Sequence, residues 1–329
     1  MRILPLVLSA LVIAAASGNA GAAAAAADFQ PAVVYDMGGK FDRSFNQSAY
    51  EGAERFKKET GVAYREFEIT NAAQREQAIA QLARRGATVI VAVGFTQKSA
   101  VEKVAKEFPN VKFTLIDESL DLPNVQSVVF REQESSFLCG LAAALASKSA
   151  KVGFVGGMDI PLIRKFALGY REGVKYANPA AEVIENMTGT TPAAWSDPSK
   201  GAELAKSQIG RGADVIFHAA GATGTGVMQA AKDAGKLSIG CDSNQNYLQP
   251  GSVLTSAVKR VDVAVFNAFK DARAGTWKAG QVSLGLKEDG VDFALDQYNR
   301  SLITPAIEAR LKQAKADIVS GKIKVSEYK

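Results

Sequence analysis

Arg85-Gly86-Ala87-Thr88-Val89-Ile90 comes back later in the chain as Arg211-Gly212-Ala213-Asp214-Val215-Ile216, the same hexamer with one substitution. Each copy follows a helix-patterned stretch, runs into an apolar strand, and leads to a glycine (Gly94 or Gly221) and a threonine-bearing turn. Two more landmarks keep the same order and nearly the same spacing. Phe113-Thr-Leu-Ile-Asp117 answers to Leu237-Ser-Ile-Gly-Cys-Asp242, and Gly52 in Tyr50–Phe56 answers to Gly173 in Tyr170–Tyr176. A chance hexamer would bring no such companions, so the chain reads as two similar half-chains.

Short apolar runs alternate with helical patterns throughout: Ala32–Tyr35, Thr88–Val93, Phe113–Ile116, Val152–Val155, Asp214–Phe217 and Leu237–Gly240. Strands that are apolar almost without interruption and separated by helices belong to parallel sheets covered on both faces. The class is therefore α/β, with two doubly wound parallel-sheet lobes joined by a hinge. The expected limits are 28–135 plus about 252–275 for the first lobe and 136–251 plus part of 280–329 for the second, with crossings near Gln133–Ser136, Asn244–Ser252 and Ala274–Gly280. Ligands of open parallel sheets sit beyond the carboxyl ends of the strands. Two facing sheets thus make a cleft lined by the loops Asp36–Asn46, Gly94–Phe95, Gly157–Phe166, Gly221–Thr225 and Asp242–Gln245, together with Asp117. These loops are rich in Asp, Asn, Gly and Phe and poor in nucleophile–base pairs, a composition suited to holding a polar, flat solute.

The amino terminus sets the compartment. Met1-Arg2 is a short basic start, Ile3–Ala16 is apolar, and Ser17–Ala27 is rich in small residues, the pattern of a cleaved export signal over 1–27 that leaves Asp28 first. The apolar run is shorter than the roughly 20 residues a spanning helix needs, and the segment contains no cysteine to accept a lipid. The expected product is a soluble periplasmic monomer. About 300 residues then remain, which suits two domains of roughly 150 each.

The formal charge is +5, with Lys and Arg interspersed among Asp and Glu. That pattern is a solvated surface and gives no support to a nucleic-acid partner. Cys139 and Cys241, the only cysteines, could pair in an oxidising compartment, but each lies in an apolar stretch and reads as a separate buried thiol. His218 is the only histidine and follows a strand, so it reads as a satisfied side chain near a strand end. A histidine-based metal site or a Ser-His-Asp triad has little to build on, and no metal or cofactor is expected.

The loop Asp36-Met-Gly-Gly-Lys-Phe-Asp-Arg-Ser-Phe-Asn46 resembles the first binding loop of the basic membrane protein family, the purine-nucleoside receptors of ABC transporters. Gly156-Gly-Met-Asp-Ile-Pro-Leu-Ile-Arg-Lys-Phe166, Ala220–Val227, Ile239–Gln245 and Thr255–Asp262 agree with it, so the resemblance covers nearly all of the chain after the signal. It implies a type I periplasmic binding protein fold that captures a nucleoside for an ABC transporter permease. It also implies a purine stacked between Phe45 and Phe166, with Asn46 and Asp117 near the base, Asp36 in the same wall, and Gly221, Asp242 and Lys259 facing the ribose. Many relatives carry a lipid-anchor cysteine that this segment lacks.

The residues by themselves leave other roles open. Phe41, Phe45 and Phe166 could pack a core, and Asp117 and Asp242 could cap helices. Phe95 reads as packing. Gly221-Ala-Thr-Gly-Thr-Gly226 lacks the lysine of a phosphate loop and reads as a place where backbone approaches a ligand. A sugar receptor would use similar side chains. An exported nucleoside-processing enzyme would want clustered carboxylates with a metal or an acid–base pair, and a regulatory sensor would want a DNA-binding segment.

Overall fold

The computed structural model describes residues 29–328; the expected signal peptide lies outside the described residues. Strands β1 (Pro31–Tyr35), β2 (Arg65–Glu68), β3 (Val89–Ala92), β4 (Lys112–Ile116) and β5 (Val125–Phe130) alternate with helices α1 (Phe45–Thr60), α2 (Gln74–Arg84) and α3 (Lys98–Glu107). After them come α4 (Glu132–Ala146), β6 (Lys151–Met158), α5 (Pro161–Ala177), β7 (Glu182–Gly189), α6 (Pro198–Gly210), β8 (Val215–Ala219), α7 (Gly224–Asp233) and β9 (Leu237–Asp242). The chain closes with β10 (Val253–Lys259), α8 (Val261–Ala274), β11 (Gly280–Leu284), β12 (Val291–Phe293) and α9 (Pro305–Val319).

Two six-stranded sheets result, in the orders β11-β5-β4-β3-β1-β2 and β12-β10-β9-β8-β6-β7. All pairings are parallel except that of β10 with β12. Apart from β11 and β12, the two orders correspond strand for strand, as the repeat requires. β1 is buried along its whole length, and so are β3 and β8, which explains why each reads as an uninterrupted apolar run.

The lobe limits differ from those expected. β10 lies in the second sheet, so the segment at about 252–275 is divided, and only α8 joins the first lobe, where it packs on α1. The chain crosses between lobes at Phe130–Glu132, at Lys259–Val261 and between β11 and β12. Each lobe is thus completed by a helix entering from the other: α4 packs on α5 as α8 packs on α1. The matched glycines mark these two contacts. A Cβ at Gly52 would strike the carbonyl oxygen of Asp262 in α8, and one at Gly173 would strike that of Phe137 in α4. The third landmark of the repeat is therefore a steric requirement met twice.

Candidate interlobe binding site

The carboxyl ends of both sheets face a shared cavity. Asp36, Phe45, Asn46 and Asp117 line it from the first lobe, and Phe166, Gly221, Asp242 and Lys259 line it from the second. All eight expected residues thus meet in one place. The backbone marks the same spot: Asp117 and Asp242, at matching strand ends, both adopt left-handed conformations, with φ of 71° and 63°. Such conformations cost a non-glycine residue on the order of 1 kcal/mol and persist where surrounding structure enforces them. Gly94 and Gly221, which follow β3 and β8, also have positive φ.

The first loop is organised by a residue the sequence did not mark. The buried Asp42 carboxylate accepts from the backbone N–H groups of Ser44, Asn46 and Gln47 at 2.8, 3.0 and 3.1 Å, capping the start of α1 and setting Phe45 at the cavity. Burial pushes Asp42 up to about 7 despite these donors. The Asn46 amide pairs with the backbone of Asp36, accepting from its N–H at 3.1 Å and donating to its carbonyl at 3.2 Å. The Asp36 carboxylate is largely occupied by Arg75, Thr96 and the Met37 N–H, at 3.1, 2.6 and 2.8 Å. Asp36 therefore holds the wall together as well as lining it.

A buried ion chain crosses the cleft. Lys259 Nζ lies 2.6 Å from Asp117 Oδ2 and 3.0 Å from Glu132 Oε1, and Glu132 Oε2 lies 2.8 Å from Lys165 Nζ. Burial disfavours the charge on Lys259, but the carboxylates of Asp117, Glu132 and Asp242 outweigh it and hold the ammonium above its ordinary range. Burial raises Asp117 to about 6 against the pull of Lys259. Its Oδ1 is buried and has no hydrogen-bond partner. An orphan acceptor in a cavity wall is costly unless a ligand donor reaches it.

The aromatic residues serve both roles left open by the sequence. Phe166 is buried, with its ring centroid 6.4 Å from that of Phe217 in the core, and also lines the cavity. Phe45 is half-buried. Lys259 Nζ lies 5.1 Å from the Phe45 ring centroid and 5.9 Å from that of Phe166, so rings from opposite lobes flank one cation. Phe95 is half-buried and lines the cavity, which corrects its reading as packing, and Phe41 is exposed on the surface against Tyr50 rather than in the core.

The lobes are closed on each other. Ser44 Oγ donates to Asp242 Oδ2 at 2.6 Å, Ser243 Oγ donates to the Ser44 carbonyl at 2.7 Å, and Gln245 Nε2 donates to the Arg43 carbonyl at 2.8 Å. Gln245 Oε1 also pairs with His218 Nε2 at 3.0 Å, and burial lowers His218 to about 4, so the ring is neutral near pH 7. Cys139 and Cys241 are both buried and unpaired.

Sequence reasoning missed Asp42, Glu132, Lys165 and Trp195. Trp195, on a single helical turn at Pro192–Trp195, lines the cavity, and a large aromatic within a Thr/Pro/Ser-rich loop was a readable signal. Glu132 had no such signal, because Arg131-Glu-Gln-Glu134 has the composition of a solvated helix start. Among the described residues, no helix is long and apolar enough to cross a membrane.

A family model described as Bmp, ABC transporter substrate-binding protein PnrA-like, matches residues 29–328. The "ABC transporter nucleoside-binding protein BmpA" of Lactococcus lactis subsp. cremoris is 34% identical, over 94% of this chain and 92% of its own length. An "uncharacterized lipoprotein" of Pyrococcus abyssi is 36% identical, over 89% of this chain and 76% of its own. A crystal structure of an ABC transporter solute-binding protein from Aeropyrum pernix K1 superposes with a TM-score of 0.84 at 32% identity, covering 91% of this chain and 93% of that one.

Proposed function

This chain belongs to the Bmp family of PnrA-like ABC transporter substrate-binding proteins, and on that premise we propose that its cleft captures a purine nucleoside for import through the transporter's permease. The observation that carries this reading is the pairing of Phe45 and Phe166, from opposite lobes, around a cavity that also holds the partnerless Oδ1 of Asp117. A planar base between two rings gains on the order of 1 to 3 kcal/mol per stacking face. The acceptor oxygens of Asp117 and Asp242 in the cavity wall disfavour an anion and suit a ligand rich in N–H and O–H donors. The nucleoside-binding relative supports this assignment.

The wall reads as a holding surface and not as a reaction centre, so we propose that the protein is not an enzyme. Carboxylates hold Lys259 as an ammonium, and burial, with Asp242 nearby, pushes the Cys241 thiol far up, so neither side chain is a nucleophile. We place the protein in the periplasm as a monomer without a nucleic-acid partner. Relatives named as lipoproteins make its attachment a point to measure, and the mass of the exported protein should match an unlipidated chain beginning near Asp28.

A thermal-shift screen of nucleosides, free bases and sugars tests the ligand class. A ligand at 100 times its Kd adds about 2.7 kcal/mol of stability. Purine nucleosides should raise the melting temperature most; a shift with sugars alone would overturn the reading.

A further inference from the structure

Two of the three interlobe crossings end in charged residues that meet inside the protein. Glu132 opens α4 directly after the first crossing, and Lys259 closes β10 directly before the second. Both side chains are almost wholly buried, and their charges touch at 3.0 Å. Glu132 is held from behind by Lys165 of α5 at 2.8 Å, and Lys259 reaches forward to Asp117 at the end of β4 at 2.6 Å. The chain Lys165–Glu132–Lys259–Asp117 therefore starts in the second lobe, passes through two crossings and ends in the first.

We propose that Glu132 is a positioning residue: it shares the charge of Lys259 so that the ammonium stays in the cleft, and Asp117 keeps one carboxylate oxygen free for the ligand. This proposal rests on reading the cleft as the nucleoside site. With Asp117 as its only close carboxylate, Lys259 would draw both Asp117 oxygens toward itself and take the free acceptor from the ligand. With Glu132 on its other side, the ammonium has two anchors and Asp117 Oδ1 stays unpaired. The other ionisable groups facing Lys259 are Asp242 at the end of β9, with Cys241 beside it; Asp42 in the loop before α1 lies against Asp242. None of these sits at a crossing. Glu132 does, so hinge bending and the position of Lys259 are mechanically joined.

Two readouts on the full mature protein test the proposal, and one needs no ligand. The ionisation of Lys259 is followed by ¹³Cε-lysine NMR, with the signal assigned by its loss in Lys259→Met, and inosine affinity is measured by calorimetry across the same pH range. In the wild type the Lys259 signal should remain that of an ammonium past the ordinary lysine value of 10.5. In Glu132→Gln the midpoint should fall by about one pH unit or more, because a charge partner is gone from a buried site. Inosine affinity should fall roughly tenfold near neutral pH and further as pH rises toward that midpoint. Glu132→Asp, which keeps the charge, should restore most of both. If Glu132→Gln does not fold, Glu132→Asp decides, with a smaller fall in both quantities expected. An unchanged Lys259 midpoint overturns the proposal even where affinity drops, because the effect would then be packing. Unchanged affinity with a shifted midpoint overturns it too. If the wild type binds no nucleoside, the functional reading fails by itself, and the lysine titration still shows whether Glu132 governs Lys259.

Discussion

Asp117 and Asp242 occupy the same place in two copies of one unit, at the ends of β4 and β9, and share the same left-handed backbone. Their side chains do different work. Asp117 faces a cation, Lys259, and keeps an oxygen without a partner. Asp242 is engaged by the hydroxyl of Ser44 from the opposite lobe. Duplication supplied two equivalent carboxylates at a cleft mouth, and the neighbours of each then determined its use: one is left open to a ligand and the other is committed to closure. A similar divergence appears one strand away. The position of Ala92 in the first lobe is held in the second by His218, which is tied through Gln245 to the Arg43 carbonyl across the cleft.

The largest expected effect tests the first half of that contrast. Asp117→Asn should cost about 2 to 5 kcal/mol of nucleoside affinity by calorimetry, the usual scale for losing one partner of a buried charge pair. Asp242→Asn should cost less, about 1 to 2 kcal/mol, because the Ser44 hydroxyl can still donate to the amide oxygen. Equal losses would mean that the two carboxylates have not diverged.

Next comes His218. Its folded pKa, about 4, lies below the unfolded value of 6.5, so the unfolded chain takes up a proton that the folded one does not. The stabilisation is fully present above pH 6.5 and is lost as pH falls toward 4, amounting to about 3 kcal/mol. The buried carboxylates with raised values oppose this slope, so the measurement is the difference between the wild type and His218→Gln in chemical denaturation from pH 7 to 4. That difference should shrink by about this amount over the range. A constant difference would show that the ring is not held neutral.

The two phenylalanines should separate next. Phe45→Leu and Phe166→Leu should each weaken binding by about 1 to 3 kcal/mol. Only Phe166→Leu should also lower the melting temperature appreciably, since Phe166 packs on Phe217 whereas Phe45 is half-buried. The smallest effect belongs to Ser44→Ala. Removing the hydroxyl that reaches Asp242 should cost about 1 kcal/mol and shift small-angle scattering of the unliganded protein toward a more open shape.

Much of this architecture was legible because it rests on local and repeated features. The strands are apolar without a break since both sheet faces are covered, and the repeat alone picks out the matching glycines and strand-end aspartates. The cleft residues followed from the rule that ligands lie beyond the strand ends. The lobe limits were not legible. Nothing in the periodicity of β10 or α8 tells which sheet a strand joins or which lobe a helix completes, because both lobes are made of the same elements. Glu132 escaped for a related reason. A glutamate in a charged helix start reads as solvated, and only the crossing of two hinge segments buries it against Lys259.

Whether the closed cleft holds a purine between Phe45 and Phe166 is decided by a crystal structure of the mature protein with inosine. The base should lie between the two rings, with a donor of the ligand on Asp117 Oδ1. A nucleoside bound elsewhere, or an inosine-soaked cleft that stays empty while calorimetry shows no heat of binding, would contradict it.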